Sequence, residues 1–312
     1  MKGPLFYSKI LLFGEYGIIK DSKGLAIPYN FYNGALKIDG NTSEEAKKSN
    51  EGLRKFTQYL EELHIEQPEL VSFNIASLKS DVENGMYFDS SIPQGYGVGS
   101  SGALVAAIYD KYALDKITVL ENLTREKLLQ LKAIFSQMES FFHGKSSGLD
   151  PLNSYLSLPI LINSKDNIEA TGIPTQSKTG KGAVFLLDSG VVGETAPMVS
   201  IFMEKLKEDG FRKMLKSQFI KYTDACVENF LKGDVKTLFT NTKELSKVVL
   251  SHFKPMIPEQ FHQVWQKGID TNDYYLKLCG SGGGGYILGF TEDLDKAKDS
   301  LKDYKLEVVY QF

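Results

Sequence analysis

Three stretches of this 312-residue sequence combine residue types that could do chemistry. PQGYGVGSSG, residues 93–102, places Gly95, Gly97, Gly99 and Gly102 around Ser100 and Ser101 just before a helical pattern. Several backbone N–H groups can hold one phosphate chain only where no side chain blocks the approach, so glycines ahead of a helix start make a plausible anion cradle. The two hydroxyls could also reach a bound metal ion. The alternative for the same residues is a flexible loop with a serine N-cap. No G-x-x-x-x-G-K-[ST] pattern occurs, which disfavours a P-loop NTPase.

GSGGGG, residues 280–285, lies between two strand-like runs. A plain hairpin does not need so many glycines, each costly in conformational entropy, so close backbone approach is the stronger explanation and a mobile loop the weaker. The third stretch runs from Glu139 through His143-Gly144, Ser146-Ser147-Gly148 and Asp150-Pro151. Asp150 offers a base or charge organiser if a cation lies near it, or else a helix N-cap before Pro151. Lys9 sits in an apolar strand pattern and is either at a solvent-facing end or held by a carboxylate. His143 suits a helix C-terminus, and the Glu139–His143 spacing alone is weak support for a metal.

The elements that must position these residues follow from periodicity. Leu5 to Phe13 reads as a buried strand entering a turn at Gly14, and Gly34 to Ile38 as another. Leu53, Phe56, Tyr59, Leu60 and Leu63 mark a helix; Val71 to Ile75 and Met86 to Ser90 are strand candidates. Helices are expected from Gly102, with Ser100 and Ser101 capping, and from about Thr124 to His143. Gly172 to Gly182 carries no apolar period and places a boundary near Lys181. Beyond it come a strand, AVFLLDSG, and helices at Ala196 to Glu208, Phe211 to Lys232 and Val235 to His252. Two strands then flank the second glycine cluster, followed by a helix near Asp293 to Leu301 and a last strand, an α+β pattern.

Composition narrows the function classes. Charged residues are 24%, hydrophobic ones 42%, and the net charge is -3, so neither disorder nor a nucleic-acid or anionic-membrane partner is expected. Cys226 and Cys279 fit no disulfide or zinc spacing. The first apolar stretch is broken by Ser8, Lys9, Gly14 and Glu15, unlike a signal peptide, and no run approaches the roughly 18 apolar residues of a membrane helix. A reduced, cytoplasmic setting is expected.

Taken together and in this order, PLFYSKILLFGEYGII, PQGYGVGSSGALVAA and KLCGSGGGGYILGF resemble the three motifs of the GHMP kinase superfamily. Within it, MESFFHGKSSGLDPLNSYLS is most similar to the mevalonate kinase family. The resemblance implies a two-domain fold, with an N-terminal nucleotide-binding domain like ribosomal protein S5 over 1–180. A C-terminal GHMP kinase domain, a ferredoxin-like α/β sandwich, would cover 181–312, with the active site between the two. It implies ATP and magnesium, with Asp150 as the catalytic carboxylate and Lys9 as its cationic partner. Gly95, Gly97, Gly99, Ser100, Ser101 and Gly102 would lie on the phosphate loop, and Ser101 and Glu139 would be the metal ligands. Thr195, Gly282, Gly283 and Gly284 would stand on the acceptor side. The implied activity is phosphorylation of a small alcohol, mevalonate first, phosphomevalonate or another alcohol second, and a non-catalytic binder third; a homodimer is compatible with it. Two departures stand out: Gly14-Glu15-Tyr16 where many mevalonate kinases have Gly-Glu-His, and Gly193-Glu194 where many relatives carry a basic residue before the threonine.

Overall fold

The computed structural model describes residues 4–118, 123–177 and 179–312. They form two compact units that share the chain in alternation. Residues 4–9 with Pro28–Pro93 and Gly99–Leu158 make the first, and Ile10–Ile27 with Gln94–Val98 and Pro159–Phe312 make the second. Strands β1 (Phe6–Phe13) and β2 (Gly24–Lys37) therefore contribute to both.

In the first unit the C-terminal half of β2 pairs antiparallel with β3 (Tyr87–Ser90), from Gly34 opposite Ser90 to Lys37 opposite Tyr87. Helix α1 (Glu44–Glu66) starts at Ser43, whose hydroxyl accepts from Ala46 N at 3.2 Å, and it buries Leu53, Phe56, Leu60 and Leu63. That face has the three-and-four spacing of an amphipathic helix. The strand expected at Val71 to Ile75 is reduced to an isolated bridge of Phe73 to Ala113, and helix α2 (Ile75–Glu83) begins at its last residue, where the Asn74 side chain accepts from Ser77 N at 3.0 Å. The side-chain cap at Asn74 sets where the helix begins.

Helix α3 (Ser100–Tyr112) runs through the middle of this unit, with Ala103, Val105, Ala106, Ala107, Ile108 and Tyr109 all buried. Helices α4 (Arg125–His143) and α5 (Leu149–Leu156) pack on it. Tyr109, Phe135 and Tyr155, one from each helix, meet edge to face with centroids 5.0–5.6 Å apart. Such contacts add about 0.5–1.5 kcal/mol per pair beyond area burial. Small residues let α3 and α5 touch. A Cβ at Gly102 would lie 2.8 Å from the backbone of Asp150 and Pro151.

In the second unit the N-terminal end of β2 pairs with β4 (Ile160–Ser164), which pairs with β5 (Asn167–Ala170). The main sheet has four antiparallel strands: β6 (Ala183–Asp188), β7 (Tyr275–Leu278), β8 (Tyr286–Thr291) and β9 (Leu306–Gln311), in the order β7-β8-β6-β9. With helices between β6 and β7 and between β8 and β9, this is the strand order of a ferredoxin-like sandwich, as expected. Between β6 and β7 lie α6 (Thr195–Lys205), α7 (Asp209–Met214), α8 (Lys221–Lys232), α9 (Val235–His252) and α10 (His262–Thr271); α11 (Leu294–Ser300) precedes β9. The single helix expected from Phe211 to Lys232 is interrupted by a π turn at Leu215–Ile220. Trp265 on α10 is fully buried and donates to Ser246 Oγ at 2.8 Å. Cys226 and Cys279 are free and buried. Among the described residues, no helix is long and apolar enough to cross a membrane.

A buried lysine also appears here. Lys277 on β7 is 3% exposed and its ammonium lies 2.5 Å from Glu15 Oε1, itself buried. Removing one partner of such a pair leaves an uncompensated charge in the interior, at a cost of about 3–5 kcal/mol. Glu15→Ala should lower stability by about that amount in urea unfolding followed by Trp265 fluorescence. A loss below about 1 kcal/mol, the scale of an exposed pair, would contradict the assignment.

Candidate functional site

In the first unit, Lys9 on β1 is 4% exposed, a position an ammonium group cannot hold without a partner. Asp150 supplies one, with Oδ1 2.8 Å from Lys9 Nζ. The aspartate does not cap α5, since Gly148, in the left-handed conformation, stands at that position and Asp150 follows in the first turn. Its side chain remains 38% exposed, so one carboxylate meets both a buried cation and solvent. Gly99 makes room for the lysine: a Cβ there would fall 3.0 Å from Lys9 Cγ.

Gly99 is also the N-cap of α3, at φ 81°, with no side chain capping the helix. The first intrahelical bond runs from Ala103 N to Gly99 O, which leaves the N–H groups of Ser100, Ser101 and Gly102 without a helical carbonyl. Ser100 and Ser101 were expected to cap; they occupy the first turn instead. Gly99 takes the cap because only a residue without a Cβ enters the left-handed region freely. The result strengthens the anion-site reading, because no side chain competes for those donors.

Glu139, 3% exposed on α4, accepts from Ser101 Oγ at 3.0 Å through Oε1 and from the Ser146 hydroxyl through Oε2. With its one proton given to Glu139, Ser101 accepts from His143 Nε2 at 3.1 Å. His143, read from sequence as a helix end and as half of a weak metal-spacing pair with Glu139, here hydrogen-bonds Ser101. Ser146 arrives because the loop after α4 folds back on that helix. Ser136 Oγ donates to Ser146 O at 2.6 Å, and Gly148 sits where a Cβ would lie 2.2 Å from Lys132 O. Burial first, and then the negative charge of Asp150, push the Glu139 carboxyl up to about 7, against the opposing pull of Ser146, Ser101 and Lys9. A hydroxyl and a carboxylate this close form the hard-oxygen donor set that magnesium accepts, and a buried carboxylate with a raised pKa is one that a cation would relieve. Among the described residues no three His, Cys, Asp or Glu side chains gather as a metal cluster. An ion there would complete its shell with substrate oxygens and water, as magnesium commonly does.

In the second unit the glycines serve a different need. Three loops, 94–98, 189–195 and 280–285, lie backbone against backbone. Gly193 N donates to Gly95 O at 2.9 Å, Gly285 N to Val191 O at 2.6 Å and Tyr286 N to Tyr96 O at 3.3 Å. A Cβ at Gly97 would lie 2.7 Å from Cys279 O, and one at Gly285 2.4 Å from Tyr96 Cα. Gly282 closes on Met256, whose carbonyl accepts from Gly283 N at 2.7 Å; Gly283 closes on the Met198 side chain and Gly284 on Gly193. Thr195 opens α6, and its hydroxyl accepts from Ser281 Oγ at 3.3 Å. The close approach inferred for 280–285 is therefore real, and the approaching group is neighbouring main chain except at Gly283, where it is the Met198 side chain.

Sequence reasoning marked Tyr16 only as a departure from the family pattern, and it missed Lys277. Tyr16 donates to Ser281 O at 2.7 Å. Lys277 had a signal, the same one as Lys9, a lysine inside an apolar strand run.

Residues 59–157, from the middle of α1 to the end of α5, match the family model of the GHMP kinases N terminal domain. This segment is similar to the GHMP kinase N-terminal domain. The matched segment holds Gly99 to Gly102, Glu139 and Asp150, and Lys9 joins them from β1. No curated protein matches the chain by sequence. Solved structures match over nearly its whole length. Mevalonate kinase of L. major in complex with R-mevalonate aligns at TM-score 0.62 and 18% identity, covering 100% of this chain and 99% of that one. Galactokinase of Lactococcus lactis complexed with galactose aligns at 0.65 and 10%, covering 98% and 92%. Phosphomevalonate kinase of Streptococcus pneumoniae in complex with phosphomevalonate and AMPPNP aligns at 0.61 and 12%, covering 98% of each. At these identities the likeness is one of fold.

Because Glu139 binds its proton more tightly folded than unfolded, the native state holds more protons between the ordinary value of 4.5 and about 7. Stability should then fall as pH rises through that window and level off above it. In chelator-treated protein, melting temperatures from pH 4.5 to 8 should show this decline, and Glu139→Gln should flatten it and raise stability at pH 8. An unchanged slope in that variant would contradict the assignment.

Proposed function

We propose that this chain is an ATP-dependent kinase that phosphorylates the primary hydroxyl of mevalonate, giving 5-phosphomevalonate and ADP for isoprenoid precursor synthesis in the cytoplasm. The observation that carries the reading is the 2.8 Å contact between buried Lys9 and half-open Asp150, on the same unit as the uncapped start of α3. Phosphoryl transfer needs in-line placement, charge neutralisation and a route for the alcohol proton. The free N–H groups at Ser100 to Gly102 suit the phosphates, and Gly95 and Gly97 belong to the same glycine stretch. Ser101 and Glu139 would hold a magnesium ion, which supplies charge neutralisation on the phosphate oxygens.

Asp150 orients the acceptor hydroxyl and takes its proton as the oxygen attacks the γ-phosphorus and the bond to ADP breaks. Lys9 holds the Asp150 carboxylate in place through their 2.8 Å contact and faces the negative charge that develops. Thr195 and Gly282 to Gly284, in the second unit, stand for the acceptor side. Mevalonate is preferred because the Glu139 to Asp150 segment follows the mevalonate kinase pattern. The second reading, phosphomevalonate kinase, is favoured by Tyr16 in place of histidine. A non-catalytic binder has no use for a buried lysine held on a half-exposed aspartate.

A coupled ADP-release assay across mevalonate, 5-phosphomevalonate, homoserine, galactose and shikimate tests the reading. Mevalonate should give the highest kcat/KM; a higher value for another alcohol would reassign the acceptor, and ADP release with none would refute the kinase. Asp150→Asn should keep its fold and its affinity for a non-hydrolysable ATP analogue while kcat falls about 10²–10⁴-fold, as for loss of a general base. Turnover within threefold of the parent would remove Asp150 from that role.

A further inference from the structure

Tyr16 stands in a conformation that tyrosine seldom adopts. Its φ is 58° and its ψ -37°, and Gly17 N donates to Glu15 O at 2.5 Å across it. That is a three-residue γ-turn with positive φ, a rare and strained form even where glycine supplies the centre. A bulky side chain there must be held by its surroundings, and such outliers collect where the strain serves a purpose.

The surroundings are specific. The Tyr16 ring is buried 4.6 Å from that of Phe202 on α6 and 6.1 Å from that of Phe253, and its hydroxyl reaches Ser281 O at 2.7 Å. Burial and the neighbouring Glu15 charge hold the phenol far above its ordinary pKa, so it remains a donor. Glu15 meanwhile pairs with Lys277, three residues before Gly280. Two consecutive residues of the first glycine turn thus grip the third glycine loop, one at the strand that enters it and one at a carbonyl inside it. The loop needs this. Gly280, Gly282, Gly283 and Gly285 all lie at φ between 67° and 78°, where the chain is least constrained by its own side chains. Ser281 in turn donates to Thr195, the first residue of α6.

We propose that Tyr16 is a positioning residue that sets the place of Ser281 and Thr195 through its hydroxyl, and so tunes acceptor binding without touching the reacting atoms. The acceptor half of this statement rests on the kinase reading above; the loop half does not. On this account the tyrosine at position 16 is a strained latch, and the turn is bent so that the hydroxyl can reach the loop.

Tyr16→Phe removes one oxygen and keeps the ring packing. Hydrogen exchange at the Gly283 and Gly285 amides, both bonded in the parent, should accelerate about 3–10-fold, the range expected for one lost hydrogen bond. Exchange in β6 should stay as in the parent. Acceptor KM should rise by a similar factor while kcat and the KM for ATP stay within twofold. Unchanged exchange at Gly283 and Gly285 would overturn the proposal, as would acceleration spread evenly through β6 and the loop, which marks simple loss of stability. An acceptor KM unchanged in an active enzyme would overturn the tuning of binding. If the parent phosphorylates no alcohol, the kinase reading falls, while the exchange measurement still decides whether Tyr16 sets the loop.

Discussion

A lysine ammonium placed in the interior dictates much of what surrounds it. Lys9 cannot stay in an apolar strand without an anion within hydrogen-bond reach, and Asp150 can approach only because two side chains are missing. Gly102 lets the start of α5 lie against α3, and Gly99 leaves space for the lysine stem. Once these contacts are set, the first turn of α3, the carboxylate of Asp150 and the Ser101–Glu139 pair belong to one packed assembly, tied further by the Tyr109, Phe135 and Tyr155 rings. The second unit repeats the device with Lys277 and Glu15. There both partners are deeply buried, which suits a structural tie, whereas Asp150 keeps a face open to solvent, which suits chemistry.

The glycine-rich motifs divide by cause. Gly99 frees the N–H groups of a helix, a property that concerns an anion. Gly95, Gly97, Gly284 and Gly285 are glycine because three loops would collide if they carried side chains. A motif of this kind therefore records two constraints at once. Substitutions at its early and late positions should fail for different reasons, the first by prising loops apart and the second by disturbing a charge site.

Much of the architecture could be read from periodicity. The strand at 183–188, the closing β-α-β order and the helices at 125–143 and 235–252 follow from runs with clear spacing and caps such as Thr124. Local rules failed where a competing contact was stronger. At 71–75 no strand forms beyond the bridge of Phe73, because Asn74 caps α2, and the serines at 100 and 101 yielded the cap to Gly99. The site was partly readable, because a lysine inside a strand and an aspartate after a glycine loop announce a cost and a remedy. What pairs with what was not. Ser146 with Glu139, His143 with Ser101 and Tyr16 with Ser281 depend on how loops fold back, and nothing local encodes a partner up to 265 residues away. The family resemblance supplied the roles that spacing left open.

The central claim is that Lys9 and Asp150 act as one unit in phosphoryl transfer, and a double-mutant cycle on kcat tests it most directly. Lys9→Met, Asp150→Asn and the pair should be measured with ATP and mevalonate under saturation. Residues that work as a unit are strongly non-additive. The account predicts that the double variant is slower than the slower single variant by no more than about threefold, the residual expected when a unit is already broken. Losses that multiply, with the double variant slower by the product of the two single effects, would contradict it.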